Sequence, residues 1–276
     1  MKCHRWRRVG TLGRTSFGGS SGWRRPHTEV TPVRSHCLAT AQRVESLQDL
    51  TSQYSNTEAL PLELDNVDNI EGLGGEVAKS IGGRLDFSVN NAGTHYAATA
   101  VDLDVDKAAK LFTVNVYAVM RLYQLFVPLL REAPHGRIVR IGSVTRDVPV
   151  MWQGAYNASK AALSQYTKIL RLELKPFGIS VIEVVTGFVR SNILHHGLYA
   201  PDNSFYLPVK STMERIRYKG NANGMMTDVY ARSVIWEGNL TWYWRFIVAC
   251  CPLSFYWILF RYFGLNRVVK SRHVSN

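Results

Sequence analysis

Four short apolar runs, at 36–40 (HCLAT), 85–89 (LDFSV), 137–142 (RIVRIG) and 179–185 (ISVIEVV), are separated by segments of helical period. This alternation is what most limits the fold. A strand, a helical crossover and a second strand build parallel pairs, and parallel sheets are covered by helices on both faces. Val67, Ile70, Leu73, Val77 and Ile81 repeat at helical spacing, although Gly74 and Gly75 weaken that segment. Residues 106–133 read as one long amphipathic helix ending near Pro134, and 154–176 as another, with Leu163, Tyr166, Ile169 and Leu170 on one side. In such sheets ligands bind beyond the carboxyl ends of the strands. Residues 200–230, rich in Pro, Asn and Gly, read as a loop, either a substrate lid or plain surface.

Charge divides the chain of 276 residues into three parts. Residues 1–34 carry eight Lys/Arg and one acid, Glu29; 238–276 carry five basic residues and no acid; 35–237 balances at twenty of each. The expected organisation is therefore an irregular basic N-terminus at 1–34, a catalytic-size α/β body at 35–237 and a tail at 238–276. No basic stripe interleaved with aromatics crosses the body, which argues against nucleic acid as a partner. Cys3, Cys37, Cys250 and Cys251 fit neither a zinc pattern nor a disulfide framework, so no metal is expected. The tail stretch WYWRFIVACCPLSFYWILFRYFGL, at 242–265, is densely apolar and aromatic. Its clean run, 246–260, is shorter than the ~20 residues a spanning helix needs. It reads as lying in or dipping into one leaflet, with a buried C-terminal helix or a dimer contact as the alternative. The basic residues beside it suit an anionic membrane surface.

Within the body, AYNASK (155–160) places Tyr156 one helical turn before Lys160, on the same face. A free phenol, with a pKa of about 10, is a poor proton donor at neutral pH. A neighbouring ammonium favours the phenolate, so Tyr156 beside Lys160 reads as a tuned acid. Ser143 ends the strand RIVRIGS, where a hydroxyl can reach a carbonyl oxygen in the ligand crevice. SVNNAG (88–93) ends another strand with amides and a glycine, which allows close backbone approach. Asn115 is a polar residue inside the long apolar helix. Singly, each has a structural reading: a turn for Asn91 to Gly93, a cap for Ser143, a satisfied helix polar group for Asn115. Their joint order carries more.

That order, NNAG, then Asn in a long helix, then a strand-end Ser, then YNASK, resembles the short-chain dehydrogenase/reductase family over about residues 36–200. The resemblance implies a Rossmann-type doubly wound parallel sheet with helices on both faces, a nicotinamide cofactor, and hydride transfer to or from a carbonyl or alcohol. It implies that Tyr156 gives a proton to the substrate oxygen, that Lys160 lowers the pKa of Tyr156 and holds the nicotinamide ribose, that Ser143 orients the carbonyl, and that Asn115 holds a water linking Lys160 to solvent. It also implies that Asn91, Ala92 and Gly93 pack beside the adenosine side, that Asp65 meets the adenine, and that Val189 and Ser191 lie near the nicotinamide amide. The usual Pro-Gly before them stands here as Thr186–Gly187.

The run at 36–40, which corresponds to the second strand of the family, ends in ATAQR (39–43) without an acid. An acid there binds the ribose 2′-hydroxyl of NAD, and an arginine accommodates the 2′-phosphate of NADP. Arg43, with Thr40 nearby, therefore points to NADP(H). A narrower similarity, to fungal 1-acyldihydroxyacetone-phosphate reductase-like members, is carried by ATAQRVESLQDL, by YNASKAALSQYTKILRLELKPFGISV and by the tail ending FRYFGLNR. It implies reduction of a lipid-like or secondary-metabolite ketone on the cytosolic face of the endoplasmic reticulum or a lipid droplet. A cytoplasmic protein is the alternative, and a homo-oligomer is left open.

One part departs from the family pattern. Its glycine loop, which cradles pyrophosphate, corresponds here to SFGGSSGWRRPHTEV (16–30), with Gly18 and Gly22 as candidates. Trp23, Arg24 and Arg25 stand where small residues are needed, and Pro32 breaks the helix that should follow. Back-translated one base later, the stretch at Trp23 permits Gly-Gly-Val-Gly-His. The expectation is a shifted frame or altered splice near 23–34, which transcript sequencing checks, with a similar small gap before Trp236. If the printed stretch is made, cofactor affinity suffers and the chemistry is encoded but impaired; the alternative to the reductase is a non-catalytic, membrane-docked binding relative.

Overall fold

The computed structural model describes residues 36–67, 70–194 and 197–236. The chain divides into two compact units, meeting in sequence at Leu62 and Glu63. The expected first glycine loop with Gly18 and Gly22, the altered stretch at 23–34 and the apolar tail at 238–276 lie outside the described residues.

In the first unit, β1 (Cys37–Ala41) runs parallel to β2 (Thr57–Pro61), with Cys37 opposite Thr57 and Ala41 opposite Pro61. A 3₁₀ turn at Val44–Leu47 and the short helix α1 (Gln48–Gln53) connect them. The second strand has the sequence TEALP. Only Ala59 and Leu60 are apolar before the proline, so no apolar run announces it. Pairing with β1 makes it a strand, and Pro61, which has no N–H to give, sits at its last position.

The second unit holds three parallel strands in the order β3 (Phe87–Asn90), β4 (Arg137–Ile141) and β5 (Ser180–Val184). Its helices are α2 (Ile70–Ser80), α3 (Val105–Phe112), α4 (Ala118–Arg131), α5 (Gly154–Leu174), α6 (Lys210–Ala222) and α7 (Thr227–Trp236). The alternation read from the sequence is thus an α/β, Rossmann-like arrangement of parallel strands and helices. Its core joins Val119, Tyr123 and Leu130 of α4 to Leu163, Leu170 and Leu174 of α5, against Ile138 and Val181 of the sheet. Burying each such aliphatic side chain contributes about 2 kcal/mol. Gly74 does not break α2. A side chain there would overlap Leu125 of α4, so the glycine lets the two helices approach.

Two sequence expectations are corrected. The long helix at 106–133 is two α-helices joined by a π-helical turn, Thr113–Tyr117. The stretch Val105–Arg131 is long and apolar enough to cross a membrane. However, Leu111, Val116, Val119 and Leu130 are buried inside the unit, so packing accounts for its apolarity. The expected loop at 200–230 contains α6, with Met213 and Arg217 one turn apart on its buried side. The flanking Pro, Asn and Gly residues hid that periodicity.

Because the three strands are parallel, their carboxyl ends share one edge. Asn90 leads there into 91–93, Ile141 into Ser143, and Val184 into 186–191.

Candidate active site

The π turn places Asn115, 1% exposed, against the loop that follows β3. Such turns add one residue to a helix and recur at functional sites. Asn115 Oδ1 accepts from the Thr94 N–H at 2.8 Å, and Nδ2 donates to the Thr94 carbonyl at 3.0 Å and to Ser159 Oγ at 3.2 Å. Ser159 Oγ in turn donates to the Tyr156 carbonyl at 2.8 Å. The Asn115 amide therefore ties the post-β3 loop to α5. Both of its ends meet protein groups, so the side chain serves as a clamp.

The clamp brings Gly93 beside Lys160. A Cβ on Gly93 would sit 3.2 Å from Asn115 Oδ1 and 3.5 Å from Lys160 Nζ. Lys160 is 7% exposed, and its ammonium forms no hydrogen bond or ion pair among the described residues. Its pKa falls to about 8, first through burial and then through the charge of Arg140, with Glu183 opposing. Lys160 Nζ lies 5.5 Å from the centre of the Tyr156 ring, over its face.

Tyr156 departs from the sequence expectation. Burial raises its pKa above the ordinary phenol value, while the Ser143 side chain and the charge of Arg140 pull it down by less. Lys160 is not among the resolved influences. An ammonium over the ring face is poorly placed for the hydroxyl, and desolvation of the phenolate outweighs the rest. At neutral pH the phenol is held protonated.

Ser143 is buried and caps the 3₁₀ turn Val144–Arg146, accepting from the Thr145 N–H at 3.2 Å and the Thr145 hydroxyl at 2.9 Å. The same side chain interacts with Tyr156.

Two polar residues here went unread in the sequence. His95, buried after NNAG, has Nε2 2.6 Å from Oε1 of Gln153, and its ring lies 4.7 Å from that of Tyr156. Gln153 precedes Tyr156 by one turn and is also buried. Beside it, Trp152 adopts φ 64°, a left-handed backbone rare for a bulky residue. Its carbonyl accepts from the Ala98 N–H at 2.9 Å, and its side chain packs on Ala97, Leu198 and Met213. His two residues past NNAG and Gln three before Tyr156 were the available signals.

The expected cofactor residues divide by position. Asn91, Ala92 and Gly93 are exposed on the rim beside Lys160. Val189 pairs with Met225, and Ser191 is exposed in the same segment. Asp65 is exposed in the bend after β2. Thr40 and Arg43 are exposed at the carboxyl end of β1, in the first unit. A bare buried ammonium, open rim backbone and a glycine whose Cβ would press on Asn115 Oδ1 beside that ammonium suit a ribose-bearing dinucleotide: Lys160 to hold hydroxyls, 91–93 to line the nucleotide. A separate cleft of about 450 Å³, lined by Val101, Asp102, Tyr199 and Phe205 among others, contains none of these groups. Convergence of side chains, rather than cleft size, identifies the site.

Comparison with known proteins agrees. A family model for short chain dehydrogenases matches residues 33–197. The short-chain dehydrogenase virD of Hypocrea virens is 32% identical over 87% of this chain and 88% of its own. The NADPH-dependent 1-acyldihydroxyacetone phosphate reductase of Schizosaccharomyces pombe is 38% identical over 63% of this chain and 60% of its own. The crystal structure of a short-chain dehydrogenase from Streptomyces avermitilis superposes with a TM-score of 0.59 at 30% identity, over 67% of this chain and 68% of that one. The chain belongs to the short-chain dehydrogenase family and is an oxidoreductase of that family.

Proposed function

We propose that this protein is an NADPH-dependent reductase that converts a ketone of a lipid-like or secondary-metabolite substrate to an alcohol. The observation that carries the reading is the meeting of Tyr156, Ser143 and the unpartnered Lys160 at the Gly93 rim. The nicotinamide, when bound, supplies the hydride. Ser143 orients the carbonyl. Tyr156, kept protonated by burial, gives its proton to the carbonyl oxygen. Lys160, charged below about pH 8, binds ribose hydroxyls. Asn115 holds the rim loop against α5. Asn91, Ala92, Gly93, Asp65, Val189 and Ser191 line the cofactor.

Arg43 supports NADP(H), with Thr40 beside it, because a guanidinium accommodates a 2′-phosphate. The printed name of the Schizosaccharomyces pombe relative supports the same choice and a lipid-like ketone. The apolar tail supports a seat on the cytosolic face of the endoplasmic reticulum or a lipid droplet. Purified full-length protein is expected to oxidise NADPH with such a ketone and to show saturable quenching of Trp fluorescence on NADPH titration. No quenching would favour the second reading, a cofactor-impaired binding relative, which Trp23, Arg24 and Arg25 at the phosphate loop motivate.

A further inference from the structure

We propose that Arg140, on β4, is a positioning residue for the reaction: paired with Glu183, its guanidinium sets the charge state of Lys160 and Tyr156 from behind the site. The inference rests on the roles given above to those two residues.

Arg140 and Glu183 stand directly opposite in the β4–β5 register, so both side chains point to one face of the sheet. Arg140 is 1% and Glu183 5% exposed, and the Arg140 NH2 group is paired with Glu183 Oε1. Glu183 Oε2 takes Arg146 NH1 at 2.7 Å and the Ser164 hydroxyl at 3.1 Å. Ser164 lies one turn beyond Lys160 on α5. Gly142, the residue before Ser143, has room for no side chain, since a Cβ there would sit 2.8 Å from Glu183 Oε1 and 3.2 Å from Arg140 NH2. The pair therefore underlies the two segments that carry Ser143, on the turn after β4, and Tyr156 and Lys160, on α5.

The pair is lopsided. Both carboxylate oxygens are committed, whereas Nε and NH1 of Arg140 are buried without a hydrogen-bond partner among the described residues. A buried polar group left in this way calls for an explanation. Inside the protein two guanidiniums share one carboxylate. Asp147 meets Arg146 only at the solvent side, where water screens it. Arg140 thus keeps positive charge on Nε and NH1 that no hydrogen-bond acceptor meets among the described residues. It disfavours a second buried cation on Lys160 and favours a phenolate on Tyr156. The groups facing this charge are Lys160 and Tyr156 on α5, Tyr123 on α4, Glu183 on β5 and Arg146 in the turn after β4. The directions agree: after burial, Arg140 is the next cause of the fall at Lys160, and it opposes the rise at Tyr156. A guanidinium does not titrate in the working range, so this bias is constant with pH.

The test is competitive labelling of Lys160 with acetic anhydride across pH 6–11, read by mass spectrometry on the purified full chain. It needs neither cofactor nor turnover. The wild-type midpoint is expected at about 8. Arg140→Gln, which can still donate to Glu183, should move it to higher pH by about one unit, while Arg140→Lys, which keeps the charge, should restore it. A folded Arg140→Gln protein with the wild-type midpoint overturns the proposal and leaves a structural strut. Where Arg140→Gln does not fold, Glu183→Gln replaces it. Loss of the counter-charge should move the midpoint to lower pH, and an unchanged or higher midpoint overturns the proposal. In turnover, the alkaline limb of kcat/KM for carbonyl reduction should follow the labelling midpoint. A labelling shift in a chain that reduces no ketone supports the charge effect and counts against the reductase reading alone.

Discussion

Two cations are buried in the second unit, where burial lowers the pKa of both, and they differ in their partners. Arg140 faces a carboxylate across the strand register and stays charged. Lys160 is offered no acceptor among the described residues, and its pKa falls to about 8. Burying a charge without a partner is costly, and a site that tolerates the cost is usually shaped for a ligand. The difference separates what holds this molecule together from what it presents to a substrate. It also predicts that substitutions on the rim and in the core have different signatures.

The largest expected effect tests the rim. Tyr156→Phe removes the proton donor and should lower NADPH-dependent ketone reduction about a thousandfold with little change in melting temperature. Retained activity would remove Tyr156 from the chemistry.

Next come two changes of similar size and opposite sign. Lys160→Met relieves an unpaired buried ammonium, whose pKa lies below its unfolded value of 10.5. The unfolded chain binds more protons between those two values, so the cost of Lys160 is full below about pH 8 and fades as pH rises towards 10.5. The variant should therefore be more stable than wild type by about 3 kcal/mol at pH 7, and the gain should vanish at high pH. Urea unfolding at both pH values checks this, and turnover should fall as stability rises. Leu170→Ala, in the core between α5 and the sheet, should instead cost about 3 kcal/mol at every pH while leaving the turnover pH profile in place.

Gly93→Ala probes the contact between rim and ammonium. The added methyl, 3.2 Å from Asn115 Oδ1 and 3.5 Å from Lys160 Nζ, should weaken NADPH binding about tenfold by fluorescence titration. The smallest effect is expected at Arg43, an exposed cation with no ion pair among the described residues. Arg43→Ala should reduce the preference for NADPH over NADH about fivefold, measured as a ratio of kcat/KM values.

Legibility in the sequence followed the range of the forces involved. The turn that carries Tyr156 and Lys160 was readable because four residues on a helix fix a common face. Ser143 and Asn91 to Gly93 were readable because apolar runs mark where strands end. The strand TEALP was not, because its identity comes from pairing with β1 rather than from its own composition. Helix α6 was masked by turn formers at its ends, and the π turn at Asn115 by the unbroken apolar period around it. His95 and Gln153 are 58 residues apart and meet only in the folded chain.

The sequence by itself determined the parallel α/β pattern, the family motifs and the set of groups able to hold a nucleotide and move a proton. Spacing along a helix or a strand is a local property that the chain carries before it folds. Tertiary structure alone decided the ionisation of those groups. Desolvation and the placement of Arg140, Glu183 and Lys160 depend on which strands and helices come to lie side by side. That is why the expected lowering of the Tyr156 pKa by its neighbour became, in the folded protein, a phenol raised by burial and opposed from the sheet.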